Sequence, residues 1–114
     1  MAGRVFCPLG NKWFDLYKSG KKTIELRKVD SPVAKQIIYP DGSLRHLPPF
    51  TIEFRRGYNG ESLFANVIDC GTLSPDLLTI RDMADARVTF SDVEVFGRSK
   101  ILLIRTDLKK RGRR

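Results

Sequence analysis

Residues 20–27 read Gly20-Lys21-Lys22-Thr23-Ile24-Glu25-Leu26-Arg27. Ile24 and Leu26 fall on one face of an alternating pattern and Thr23, Glu25 and Arg27 on the other, so residues 22–28 read as a strand buried on one side. Directly before it, Trp13, Phe14, Leu16 and Tyr17 recur at spacings that share one face of a helix, which Asn11 caps and which turns those four residues to the core. Lys18 suits the negative carboxyl end of that helix, and Gly20 stands where a left-handed residue would stop it. A short amphipathic helix that runs through one glycine into a strand is the unit around which the rest of the chain is arranged.

Working outward, residues 4–9 form a first strand ended by Pro8 and Gly10, neither of which suits a strand interior. Beyond the central unit, residues 37–39 and 44–47 flank Pro40-Asp41-Gly42-Ser43, where proline presets one turn dihedral and glycine supplies another; residues 36–49 are a hairpin. Phe50, Ile52 and Phe54 alternate in a further strand, and Asn59-Gly60 offers a tight turn into a return strand at 63–70. Ser74-Pro75-Asp76 starts a second helix, with Leu77, Leu78, Ile80 and Met83 sharing a face. Residues 88–96 carry both a capping-box pattern at Ser91-Asp92-Val93-Glu94 and the strand-like alternation of Val93 and Val95, and receive no element. The apolar run at 100–108 closes the fold as a buried strand. About six strands and two or so short helices make an α+β chain of small mixed β-barrel type.

The 114 residues suit one domain, read as 1–108 with a basic, disordered tail at 109–114. With 41% hydrophobic and 30% charged residues the chain has apolar material enough to fold without disulfides or metal. Its net charge of +8 favours polyanionic partners, and six basic residues against one acid lie in 105–114. Cys7 and Cys70 lie far apart and His46 is the single histidine, so neither a metal site nor a cofactor is expected, and both cysteines read as reduced core residues. Neither a signal peptide nor an apolar run long enough for a membrane is evident; the expectation is a soluble cytoplasmic protein without a membrane partner.

Glu25 and Arg27 sit about 7 Å apart on one strand face, where the carboxylate can orient the guanidinium and leave its outer fork for a phosphate or base edge. Lys22 has the opposite parity and joins them only if the glycine turn re-aims it. The plainer alternative is a surface ion pair contributing about 0 to 1 kcal/mol. Lys21, Arg55 and Arg56 add candidate phosphate contacts, Tyr58 is placed either to stack on an unpaired base or merely to sit in a solvated turn, and Lys109, Lys110 and Arg111 would add nonspecific affinity. Tyr39 and His46 lie in the 36–49 hairpin, where a lone histidine is more often simply exposed.

The run Trp13-Phe14-Asp15-Leu16-Tyr17-Lys18-Ser19-Gly20 followed by Lys22, Glu25 and Arg27 resembles the ASCH domain signature, Gly-x-Lys-x-x-Glu-x-Arg after an aromatic amphipathic helix. Gly20, Lys22, Glu25 and Arg27 match every defined position, and the likeness is strongest over residues 11–28. It implies a PUA-like pseudobarrel, an association with RNA, and a cleft between barrel and first helix lined by Lys22, Glu25 and Arg27. The reading favoured is a module that takes single-stranded or unpaired RNA, or a nucleotide, in that basic cleft. A second is a small hydrolase with Lys22 and Glu25 as its catalytic pair, because some small ASCH proteins cleave RNA or hydrolyse an acylated cytidine. Glu25 stands where the amidohydrolases carry threonine, which counts against that activity. A third is a protein-interaction domain of a mobile element. The sequence leaves the oligomeric state and the role of the 36–49 hairpin open.

Overall fold

A computed structural model of the chain describes residues 4–108. Strand β1 (Val5–Leu9) leads into helix α1 (Asn11–Lys18), and Gly20, at φ +80°, turns the chain toward β2 (Ile24–Lys28). Helix α2 (Pro32–Lys35), the long strands β3 (Phe50–Arg56) and β4 (Ser62–Leu73), a 3-10 turn (Pro75–Leu77), helices α3 (Ile80–Ala86) and α4 (Phe90–Glu94), and β5 (Ile101–Leu108) follow.

The five strands form one sheet in the order β1-β3-β4-β5-β2, with β1 parallel to β3 and every other pair antiparallel. The sheet curls into a half-barrel, so the fold is α+β as expected, and its open seam lies between the edge strands β1 and β2. Inside the curl, Val5, Cys7, Phe14, Tyr17, Ile52, Phe54, Leu102 and Ile104 pack as the main core, with Tyr17 stacked on Phe54 at 4.0 Å between ring centroids. A second cluster sits on the outer side of β2 and β5, where Ile24, Leu26 and Ile101 meet Ala86 of α3 together with Val88 and Phe96.

Two covered faces explain why β2 departs from the half-buried alternation expected of it: Ile24, Glu25 and Leu26 are all buried. Glu25 lies opposite Ile104 and Arg27 opposite Leu102, both inward-facing, so the charges point into the barrel and not to solvent.

Several local expectations are corrected. The sheet has five strands, not about six, because residues 36–49 make only the single bridge Ile38–Leu44. Arg45 takes up nearby acceptors there, its Nε donating to the carbonyls of Lys35 and Ile38, and Pro48 and Pro49 bring no N–H to a ladder. Four short α-helices replace the two or so expected. Of the two unforeseen ones, α2 is opened by Ser31, whose Oγ accepts from the Ala34 N–H. The other, α4, is opened by a capping box of Thr89 with Asp92, two residues earlier than the pattern at 91–94 suggested.

The cap of α1 is Gly10, and Asn11 instead accepts from Arg56 at 3.2 Å. Phe14 and Tyr17 carry the buried face of that helix, while Trp13 and Leu16 are only half-buried. The α3 helix begins at Ile80, not at Pro75, and its buried residues are Met83 and Ala86; Leu77 and Ile80 are exposed. The second hairpin turns over residues 57–61, closed by the Arg56 N–H to the Glu61 carbonyl, and not as a two-residue Asn59-Gly60 turn. Among the described residues no helix is long and apolar enough to cross a membrane.

Candidate functional site

The open seam of the half-barrel is filled with charge. At its centre the Glu25 carboxylate accepts from two side chains and pairs with a third: Arg27 Nε reaches Oε2 at 2.6 Å, Tyr17 OH reaches Oε1 at 3.2 Å, and the Lys22 ammonium forms an ion pair 3.6 Å from Oε1. Lys22 precedes β2, in the extended residues released by the Gly20 turn, where the Lys21 and Lys22 N–H groups donate to the Leu16 carbonyl. The turn therefore re-aims the lysine onto the carboxylate despite its parity, and its ammonium also donates to the Ala86 carbonyl at the end of α3. Arg27 spans the seam, with Nη2 3.3 Å from Cys7 Sγ and 3.4 Å from the Pro8 carbonyl, both on β1. Thus the two unpaired edges of the sheet are tied by a side chain where barrel closure would otherwise need a backbone ladder.

A cleft of about 310 Å³ opens onto this group. Lys22, Glu25 and Arg27 line it together with Pro8 and Leu9 of β1, Trp13 of α1, and Asp92, Val95 and Phe96 at α4. The Lys22 ammonium lies 4.9 Å from the Trp13 ring centroid and 5.5 Å from that of Tyr17, a cation held between aromatic faces and one carboxylate. Lys22 and Glu25 are buried, and Arg27 is half-buried with Nη1 outside the hydrogen bonds just described.

Burial shapes the titration of the group. It is the largest influence on Lys22 and pulls the ammonium below the ordinary lysine value, with Glu25 pulling the other way. Burial likewise opposes the charge on Arg27, but Glu25, Cys7 and Tyr17 outweigh it and raise the guanidinium further. Burial, followed by the Glu25 charge, pushes the Cys7 thiol up to about 12 and the Tyr17 phenol well above its usual value. Cys7 is therefore a protonated thiol at neutral pH and no nucleophile, although it lies at the heart of the site. Cys70 is also free and only partly buried, so the expectation of two core cysteines holds fully for Cys7 alone.

The remaining candidates lie elsewhere. Lys21 is exposed and outside the cleft wall. Arg56 lies against α1, paired with Asp15 at 2.8 Å and set over the Phe14 ring. Arg55 is held by the buried Glu53 on the outer face of β3, over the Phe6 ring, with the exposed Tyr58 ring 6.1 Å from Phe6. Lys109, Lys110 and Arg111 lie outside the described residues. His46 rests edge-on to Phe50, and Tyr39 lies under Arg45; neither lines the cleft. Sequence reasoning did not assign Tyr17, Trp13 or Asp92 to the site. The spacing of Tyr17 on a helix that ends at the motif was the available signal, since a tyrosine buried on a core face needs a partner for its hydroxyl.

No protein-family model and no curated protein matches the sequence. Among solved structures, the chain is similar to the ASCH protein of Zymomonas mobilis, at 18% identity and a TM-score of 0.65 over 92% of this chain and 66% of that one. A tyrosine-to-phenylalanine variant of the Zymomonas mobilis protein gives 19% identity and a TM-score of 0.63, over 92% and 68%. A hypothetical protein matches at 18% identity and a TM-score of 0.55, over 91% of this chain and 97% of its own. The chain spans about two thirds of the Zymomonas mobilis protein, and at these identities the likeness is one of fold: this is an ASCH-type, PUA-like half-barrel.

Proposed function

We propose that this chain belongs with the ASCH proteins in function as well as fold, and that it binds RNA by taking an unpaired nucleotide into the seam cleft. One observation carries the reading: a cavity of nucleotide size has an aromatic ring, Trp13, on one wall and two cations, Lys22 and Arg27, fixed by a shared carboxylate on its floor. A planar base splayed from a strand finds an apolar wall and a ring to lie against, and its phosphate finds the guanidinium edge that Glu25 leaves to the cleft. A duplex must first unpair and unstack a base at a cost of a few kcal/mol, so unpaired segments are the partner favoured.

The test is affinity for a short single-stranded RNA and for its duplex form, measured with Arg27→Ala and Trp13→Ala beside the parent chain. The reading expects binding of the single strand, weaker binding of the duplex, and a loss in both variants of about tenfold or more, the scale of one oriented charged or stacking contact. Equal affinity of parent and variants would remove the cleft from RNA binding.

A hydrolytic reading is supported by one feature, the burial that lowers the Lys22 ammonium and so brings it nearer to proton transfer at accessible pH. In that case Lys22 is the acid or base. Glu25 is then a positioning group, because both of its oxygens already accept hydrogen bonds. Turnover of RNA or of an acylated nucleoside that survives Glu25→Gln in part but not Lys22→Ala is the pattern this assignment requires.

A further inference from the structure

The 36–49 segment, which contributes almost nothing to the sheet and nothing to the cleft, walls a second cavity of about 440 Å³. This cavity lies past the far end of β2, beside Val29, where the chain leaves the strand that carries Glu25 and Arg27. Three cations border it: Lys35 at the end of α2, Arg45 on the segment itself, and Lys100 at the entry to β5. Among the described residues no carboxylate lies within ion-pair distance of any of the three; Lys12, Lys21, Lys28, Arg81, Arg87 and Arg98 share that lack, but none of them lines this cavity, where three such cations are gathered.

Arg45 is held in place without neutralisation. Its Nε donates to the carbonyls of Lys35 and Ile38, at 2.8 and 3.1 Å, and its guanidinium lies 4.4 Å from the centroid of the half-exposed Tyr39 ring. That leaves the two terminal nitrogens outside these hydrogen bonds, on a guanidinium that lines the cavity together with the Tyr39 ring beside it. Of the two acids nearby, Asp41 is engaged by the Ser43 N–H and hydroxyl, and its carboxyl is held below the usual range by those bonds. Asp30 remains as an acceptor.

We propose that this cavity is a binding site for a nucleotide unit, its phosphate received by Lys35, Arg45 and Lys100 and its base laid on the Arg45–Tyr39 pair, with Asp30 accepting from a ribose hydroxyl. Three unneutralised cations around one concavity call for an anion, and the ring pair gives that anion a planar partner. The volume falls in the usual range for small-molecule sites, about 300 to 1,000 Å³. The nucleotide comes either free or as one unit of an RNA strand; the site does not depend on what the seam cleft binds.

The experiment is an amide and indole NMR titration of the whole chain with adenosine monophosphate, with tetra-adenylate and with inorganic phosphate. The Gly42 and Thr72 amides report this cavity, and the Gly10 amide with the Trp13 indole reports the seam cleft. The proposal expects saturable shifts at Gly42 and Thr72 with the monophosphate, the tetranucleotide or both, the first result marking a free nucleotide and a response to the tetranucleotide alone marking a strand. Inorganic phosphate should bind there at least about tenfold more weakly, and Lys35→Gln with Lys100→Gln should weaken nucleotide binding there by about tenfold while leaving the seam reporters unchanged. Both lysines are exposed and unpaired, so their loss leaves the fold intact. Shifts confined to the seam reporters, affinity unaffected by the double substitution, or phosphate binding as tightly as the nucleotide would each overturn the assignment, and the first of these would leave the seam reading standing.

Discussion

Glu25 shows how one residue sets the character of the site. A carboxylate on the inner face of a barrel strand is costly unless it is paired, and here a lysine, an arginine and a tyrosine hydroxyl satisfy it together. Substitution by glutamine keeps the shape but leaves two cations facing each other in a confined space. Glu25→Gln is expected to lower the free energy of unfolding by about 3 kcal/mol, the scale for removing one partner from a buried pair. An unchanged urea midpoint would mean the cations are already solvated. Tyr17→Phe removes one hydrogen bond to a charged acceptor and should cost about 1.5 to 3 kcal/mol in the same assay.

Lys22 adds a pH dependence of definite sign. Because burial lowers its folded value, the folded chain gives up this proton before the unfolded one does as pH rises toward 10.5. Between the two values the unfolded state binds more protons, so this group's contribution makes stability increase with pH across that window. The measurement is a side-chain NMR titration, in which Lys22 should titrate below the ordinary lysine value of 10.5, with RNA affinity falling in the same step. The Glu25–Arg27 pair was legible from strand parity alone. Tyr17 and Trp13 were not, because helical periodicity says which face is apolar and not which ring at its edge borders a cavity.

At the level of elements, the strands were easier to read than the helices. Alternation at Phe50, Ile52 and Phe54 and the apolar run before Leu108 survive into β3 and β5, since a two-residue period persists over a whole strand. The helices α2 and α4 span only four and five residues, too short for a period of 3.6 to declare itself, and both are specified by their caps. The same shortness makes α4 the weakest wall of the cleft. Thr89→Ala removes the hydroxyl that accepts the Asp92 N–H at 3.2 Å and should cost about 1 kcal/mol of local stability. Since α4 carries Asp92 and leads into Val95 and Phe96, amide exchange over residues 90–96 should speed up and ligand affinity drop, while exchange in β3 and β4 stays unchanged. Uniform acceleration across the chain would show instead that α4 unfolds only with the core.

Across the whole molecule the decisive feature is how unevenly charge is distributed. Of the net charge of +8, residues 1–104 carry +3, and the cations at the seam and on the neighbouring β3 are committed: Lys22 and Arg27 to Glu25, Arg55 to Glu53, Arg56 to Asp15. A body whose acids nearly balance its cations offers oriented contacts rather than a broad positive field, whereas the five basic residues of 109–114 supply charge without acids beside them. The two sources of affinity for RNA therefore separate in their response to salt. Deleting residues 109–114 should weaken binding to all RNA sequences alike and flatten the slope of log K against log salt by up to about 3.5 units, at about 0.7 per phosphate contact on a single strand. Arg27→Ala removes one contact, so its slope should change by less than about one unit while its preference for unpaired over duplex RNA is lost. Affinities of the parent, the deletion and Arg27→Ala for single-stranded and duplex RNA, each across a salt series, resolve the two contributions. If the deletion abolishes the preference and Arg27→Ala leaves it intact, selectivity resides in residues 109–114 and the charged seam of the barrel serves only to hold its edges together.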